Sequence, residues 1–389
     1  MTDVFIVCNT IHELGGVQRW AQRVGELLAE RGHRVHLVGV FAVRQPHELV
    51  GTGPDGEPVA PRYQTHVIHP DRYGARPRPA LLSRIANPLA YARHRRWQAV
   101  QRSGAKRLRA LFETASDPGD AVVICAQVHA MEWVAPAAPR SLPVIAMSHE
   151  SYAAANASSR GRRVRRLYRT AARFVSLTED DAREWTRQGM NNAAAIPNPL
   201  PIPALGGADP GARVVIAAGR LSQEKGFDLL LDAWRAASGN RPGWTLRIYG
   251  SGPQQQALRE QAEALTAGAG VDFAGQTGDI AAALVQGSIF VSASRAEGFP
   301  MSLLEAMACA LPCVAFDCAP GVHELVRDGV NGLLVPPGNT EALAAALGRL
   351  MDDAGERATM GKAALESVSA YAPDRIVERW ERMISLVLR

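Results

Sequence analysis

A chain of 389 residues is too long for one ordinary core and suits two domains of roughly 150–200 residues each. Apolar residues make up 47% and charged ones 21%, a globular composition that argues against large disordered regions, and no apolar run approaches the roughly 20 residues a membrane-spanning helix needs. The net charge of +5 is unevenly spread: residues 1–200 hold 27 Lys+Arg against 17 Asp+Glu, residues 201–389 hold 16 against 21, so an anionic partner is expected at the first half alone.

The chain opens with MTDVFIVCNTIHELGG, which carries neither a cationic leader nor a cleavage site; Val4 to Val7 reads as a first strand. Further strands are predicted at RVHLVGV, AVVICA, PVIAM and RFVSL in the first half, and at RVVIAAG, TLRIYG, VDFAG, IFVSAS and PCVAF in the second. Amphipathic segments separate them, the pattern of two parallel sheets flanked by helices. Residues 44–80 carry seven prolines and no sustained period beyond a short strand at Thr65–Ile68, and read as a binding insertion. The prolines of IPNPLPIPALGGADPGA place a domain boundary near 200–212, giving domains over 1–200 and 201–370. Residues 371–389 end the chain in an amphipathic helix, with Ile376, Val377, Trp380, Ile384 and Val387 at helical spacing. The five cysteines, Cys8, Cys125, Cys309, Cys313 and Cys318, are odd in number and scattered, and no His pair accompanies the last three. They read as core thiols in a reducing cytoplasm.

In open α/β sheets ligands sit outside the carboxyl ends of the strands, and several suggestive stretches fall there. After the first strand, Gly15 and Gly16 precede a helix starting near Val17; paired glycines let backbone N–H groups approach an anion, though the same pair also makes an ordinary tight turn. After RVVIAAG come Arg220 and Lys225. With three lysines against forty arginines in the chain, Lys225 is a selective choice; the two cations can clamp a diphosphate or simply be solvated. YGSGP repeats the strand–glycine–helix pattern at Gly250, with Pro253 expected near the first helical position. In SRAEGFPMSLLEAMACALP, Glu297 follows a strand in the loop, Pro300 opens a helix, and Glu305 lies about a turn inside it. Carboxylates accept paired hydrogen bonds from vicinal hydroxyls, so the two glutamates can face sugars on either side of a phosphate; the alternative, a surface helix position for Glu305, sits poorly with the apolar neighbours of LLEAMACAL, which suggest a buried carboxylate in need of partners. His149, just after PVIAM, could contact a ligand hydroxyl or phosphate, although a lone His by itself is more often structural.

Taken together, GRLSQEKG, YGSGP, EGFPMSLLEAMACALPCVAFD, GVHELVRDGVNGLLVPPGN and ELGGVQRW resemble the retaining glycosyltransferases of family 4. The resemblance implies the GT-B fold, two Rossmann-like domains facing a cleft that binds a nucleotide-sugar. It implies that Glu305 holds the ribose, that Glu297 holds the donor sugar, and that the amides of Phe299, Pro300, Met301 and Ser302 meet the sugar or phosphate. Arg220 and Lys225 would neutralise the diphosphate, Gly15 and Gly16 would pass beside it, and His149 would touch the sugar. The expected reaction moves a hexose or N-acetylhexosamine from a UDP-sugar, with retention, to a cell-envelope glycan, a polyol-phosphate or a lipid-linked or small acceptor. Uridine is expected from its frequency in the family alone. No Asp-x-Asp occurs, and with the two cations present no metal or other cofactor is expected. Pro300 and Ala310 stand where family members often carry glycine, which is expected to reshape the sugar pocket. A GT-B epimerase or phosphorylase, or a binding protein that transfers nothing, stays open as an alternative.

Two arginine-rich stretches in the first half read as amphipathic helices. One sets Arg162, Arg165, Arg166, Arg169 and Arg173 opposite Val164, Leu167, Tyr168 and Ala171; the other sets Arg95, Arg102, Lys106 and Arg109 opposite Trp97, Val100, Leu108 and Leu111. They suit an anionic acceptor or the inner face of a membrane, or are solvated faces; no aromatic platform or module points to nucleic acid.

Overall fold

A computed structural model describes every residue except 14, 44–50, 53–57, 70–87, 116 and 266–269. The chain divides into two compact units. One comprises Met1–His149, Ala155–Pro199 and Ile376–Arg389; the other comprises Leu200–Arg375 with the short piece Glu150–Ala154.

The first unit is built on a parallel sheet of β1 (Asp3–Cys8), β2 (Arg34–Phe41), β5 (Gln64–His69), β6 (Ala121–Cys125), β7 (Val144–Met147), β8 (Arg173–Ser176) and β9 (Ala193–Ala195), in the order β5-β2-β1-β6-β7-β8-β9. Between β2 and β5 a small antiparallel ribbon pairs β3 (Gly51–Thr52) with β4 (Pro58–Val59); most of the predicted 44–80 insertion otherwise lies outside the described residues. β1 and β6 are buried along their whole length, which is why they read as unbroken apolar runs rather than as alternating ones. β9 is three alanines and gave no strand signal; pairing with β8 makes it a strand. The helices are α1 (Gly16–Glu30), α2 (Pro88–Phe112), α3 (Val128–Ala137), α4 (Tyr152–Asn156), α5 (Ser159–Tyr168) and α6 (Glu179–Arg187). α1 buries Trp20, Ala21, Val24, Leu27 and Leu28, one stripe at helical spacing. On α2, Trp97 and Leu108 are buried while Arg95, Arg102, Lys106 and Arg109 are exposed, as predicted. The second arginine face is shorter than predicted. α5 ends at Tyr168, whose hydroxyl donates to the Met147 carbonyl at 3.0 Å, so Arg169 lies at its cap and Arg173 begins β8.

The second unit holds a parallel sheet of β10 (Val214–Ala218), β11 (Thr245–Tyr249), β12 (Val271–Gly275), β13 (Ile289–Ser292), β14 (Cys313–Phe316) and β15 (Gly332–Val335), ordered β12-β11-β10-β13-β14-β15. β15 is absent from the predicted strands because GLLV sits inside a loop-like run of glycine and proline. The helices are α7 (Phe227–Ser238), α8 (Gln255–Leu265), α9 (Ile280–Leu284), α10 (Met301–Ala308), α11 (Pro320–Leu325), α12 (Thr340–Asp352) and α13 (Ala354–Ser367). Pro253 lies in the turn before α8 rather than at its first position. Trp234 and Phe316 anchor a core shared by α7, α12 and the sheet. All five cysteines are free, and four are buried.

The last helix, α14 (Pro373–Val387), carries the chain back onto the first unit. Trp380 packs against Trp20 with ring centroids 5.7 Å apart, and Arg379 donates to the Ala195 carbonyl at 2.8 Å. In each sheet the strand order reverses once, between β1 and β6 and between β10 and β13. Those switch points are where loops splay apart and leave a crevice at the carboxyl ends. Among the described residues no helix is long and apolar enough to cross a membrane.

Candidate active site

At the β10/β13 switch point two loops are drawn together. After β10 the chain makes a short helical turn, Gln223–Lys225, and then Gly226 takes a left-handed φ of 63°. A Cβ there would lie 1.9 Å from the Ala293 carbonyl oxygen, so only glycine lets this loop pass the end of β13. The passage delivers Lys225 to Glu297: Nζ donates to Oε1 at 2.6 Å, and the Ser294 hydroxyl donates to the same oxygen at 2.7 Å. Glu297 is 9% exposed and Lys225 29%, so the pair is shielded on the carboxylate side and open on the ammonium side. Oε2 of Glu297 has no partner among the described residues.

Arg295 locks the two loops. Its guanidinium forks onto Asp228 at 2.7 and 2.6 Å, Nη1 also donates to the Gln223 carbonyl at 2.8 Å, and its own amide donates to the Glu224 carbonyl at 2.8 Å. The bidentate contact holds the Asp228 carboxyl below its ordinary range. Ser294, Arg295 and Asp228 were not among the predicted site residues. The available signal was the charge placed two residues before Glu297 and three after Lys225.

Arg220 is exposed and its side chain has no partner among the described residues. It stands on the same β10 loop as Lys225 but does not join the Lys225–Glu297 contact. Downstream, Pro300 caps α10 and offers no side-chain acceptor to the first turn. Lacking an N–H itself, Pro300 cannot supply the amide expected of it; of that stretch Phe299, Met301 and Ser302 can. The Phe299 ring is buried against Tyr371, centroids 5.6 Å apart, which leaves its main chain as its means of meeting a ligand. Glu305, fifth in α10, is half-buried, and its charge adds to the burial that pushes the Cys309 thiol up to about 11. Ser302, Ser294 and Lys225 line a narrow recess of ≈ 10 Å³, about the room one water needs. Gly250 is required by the backbone: at φ 136° a Cβ would sit 1.9 Å from the Gly219 carbonyl, so strand-end packing accounts for it without a ligand. Ala310 is left-handed at φ 62°, which explains a glycine preference there as helix-end geometry rather than as pocket shape. Among the described residues no group of three His, Cys, Asp or Glu side chains is placed to hold a metal.

Three further predicted residues lie at the carboxyl ends of the first unit's sheet. Gly15 caps α1 in extended conformation with no side-chain cap, and Gly16 is its first residue; a Cβ on Gly16 would meet nothing within 4 Å. His149 follows β7, its ring edge-on to Trp20 at 4.8 Å. Its Nε2 is enclosed and without a hydrogen-bond partner, and burial pushes its pKa down to about 3, so the imidazole is neutral.

This architecture, two Rossmann-like units with a charged switch point in the second, is the GT-B fold. Over 99% of the chain it matches a mutant of Staphylococcus aureus TarM, in complex with fondaparinux, alpha-GlcNAc-glycerol and UDP, at TM-score 0.76 and 15% identity, covering 100% of that chain. Anabaena HepE in complex with UDP and glucose matches at TM-score 0.72 and 19% identity, with 99% and 100% of the two chains covered. Residues 203–367 match the family described as Glycosyl transferases group 1. An exopolysaccharide phosphotransferase of Streptomyces coelicolor is 34% identical over 217 residues, 54% of this chain and 23% of the relative. An uncharacterized glycosyltransferase of Haemophilus influenzae is 32% identical over 219 residues, 55% and 62% of the two. The chain thus spans less than two thirds of the length of these curated relatives.

Proposed function

We propose that the chain transfers a hexose or N-acetylhexosamine from a UDP-sugar, with retention of configuration, to a glycan or related acceptor. The observation that carries this reading is the Lys225–Glu297–Ser294 cluster at the β10/β13 switch point, inside the stretch that matches the glycosyl transferases group 1 family. Three structural neighbours solved in complex with UDP, TarM, HepE and the pneumococcal O-GlcNAc transferase GtfA, favour uridine as the base.

In this reading Glu305 accepts from the ribose hydroxyls and Glu297 from the donor sugar through its unused Oε2. Arg220 and Lys225 take the charge that builds on the departing diphosphate, so the step proceeds without a divalent metal. Lys225 then answers two anionic partners: it holds Glu297 in place and meets the phosphate with its remaining N–H groups. The amides of Met301 and Ser302, at the start of α10, add partial positive charge toward the phosphates. Neutral His149 offers a ring nitrogen to a sugar hydroxyl. The departing phosphate assists removal of the acceptor's proton, and Glu297 orients the sugar rather than attacking it.

The test is thermal stabilisation of wild type and of Glu305→Ala by UDP, GDP and ADP. A ligand at about a hundredfold its Kd adds roughly 2.7 kcal/mol. Stabilisation by UDP alone, lost in the variant, supports the donor site as assigned. A shift with GDP or ADP instead replaces the base, and no shift with any of the three removes the site.

A further inference from the structure

In the first unit, at the switch point beside β6, an acid is enclosed by arginines. Glu132 lies in α3, the helix that opens directly after β6, and its side chain is only 7% exposed. Its Oε1 is buried without a hydrogen bond, yet Arg163 Nε and Arg166 Nη2 of α5 each stand 3.9 Å from it. Those distances are ion pairs but too long for hydrogen bonds, so both guanidinia keep donors uncommitted to the carboxylate. Arg163 also sets Nη1 3.1 and 3.2 Å from the ring nitrogens of His129, which sits one turn before Glu132. Burial, then the charge of Arg163, lower the His129 pKa; Glu132 pulls against them and Arg160 adds a smaller lowering. The side chains of Arg163 and Arg166 are 28% and 60% exposed, so the cationic side opens to solvent.

Counting Arg160, Arg163 and Arg166 against Glu132 leaves an excess of two positive charges on a spot held from beneath by one buried carboxylate. A solvated arginine face needs no such anchor, because flexible cations are hydrated at little cost. Fixing two planar forks at a set separation is what recognition of a tetrahedral dianion requires. We infer that Arg163 and Arg166, oriented by Glu132 and His129, form a phosphate subsite that receives a phosphate group of the acceptor. The acceptor part rests on the transferase reading; the phosphate subsite does not. It shares Arg166 with the predicted arginine face, which omitted Arg163.

The experiment titrates inorganic phosphate, and separately glycerol 3-phosphate, into the full chain at constant ionic strength with UDP saturating, followed by calorimetry. UDP occupies the donor phosphate positions, so residual phosphate binding reports another site. Its own binding gives an independent check on the donor reading. The expected result is saturable binding of both probes that weakens by about tenfold or more in Arg163→Gln/Arg166→Gln and is unmoved in the charge-matched control Arg95→Gln/Arg109→Gln. Should the double variant fold poorly, Arg166→Gln alone, at an exposed position, is expected to show a weaker loss in the same direction, and Arg166→Lys to recover part of it. No phosphate binding under saturating UDP, or equal loss in the control, overturns the subsite. Binding to vesicles of phosphatidylcholine with a quarter phosphatidylglycerol, without binding of the free phosphates, also overturns it in favour of a membrane surface.

Discussion

Replacing Lys225 with methionine separates its two roles. Lys225 is the cation for Glu297, whose carboxylate is 9% exposed and otherwise keeps only the Ser294 hydroxyl on the shared oxygen. The pair is neither surface-exposed, where its worth is about 0–1 kcal/mol, nor fully buried, where breaking it costs about 3–5 kcal/mol. An intermediate loss of about 2 kcal/mol is expected, or roughly 4–8 °C in the Tm of a unit this size. The double variant Lys225→Met/Glu297→Gln removes the stranded charge and is expected to regain at least half of that. UDP affinity is expected to fall about tenfold or more in both, because a phosphate contact, unlike the ion pair, is not restored by neutralising Glu297. The assays are thermal unfolding and UDP titration of wild type, both single variants and the double. Recovery of UDP affinity in the double variant would mean that Lys225 serves only to seat Glu297. Unchanged stability in Lys225→Met would refute the pairing itself.

Three other perturbations have defined outcomes. Gly16→Ala has room within 4 Å and improves the helix start by up to about 1 kcal/mol, so lost UDP binding with unreduced stability would place a ligand at α1, while retained binding would exclude it. Asp228→Asn releases Arg295 from its fork; a modest cost of about 1 kcal/mol with weaker UDP binding is expected, and unchanged binding in calorimetry would mean the lock does not position Lys225 and Glu297. For pH, His149, His36 and His66 all have folded pKa values below the ordinary 6.5, with burial the leading cause; His36 is further lowered by His66, against an upward pull from Asp3, with Arg34 the smallest lowering contribution. The unfolded chain therefore takes up protons first as pH drops below 6.5, and stability falls from there toward each folded value. With His149 near 3, its share is up to about 2 kcal/mol by pH 5, and His149→Gln should flatten the urea-unfolding profile between pH 7 and 5; an unchanged slope would refute it.

Apolar periodicity was enough to read most of this chain. Parallel strands buried on both faces write themselves as runs such as DVFIVC and AVVIC, and amphipathic helices as stripes such as that of α1, so the two-sheet organisation was legible in the sequence. Strands whose signal lies in the partner rather than in themselves, Ala193–Ala195 and Gly332–Val335, were not. The chemistry was legible as residue types after strands: Lys225, Glu297 and Glu305 were all visible as charges in or just beyond glycine-bearing loops. Their relation was not. Nothing in the sequence says that Lys225 reaches Glu297 at 2.6 Å, 72 residues on, or that Arg295 and Asp228 clip their loops together. Nor does it say that the Phe299 ring turns inward or that Glu132 collects two arginines from another helix. Periodicity is a local property set by which face each residue must bury, whereas the meeting of two charges depends on strand order, and strand order is decided only when the sheet is assembled.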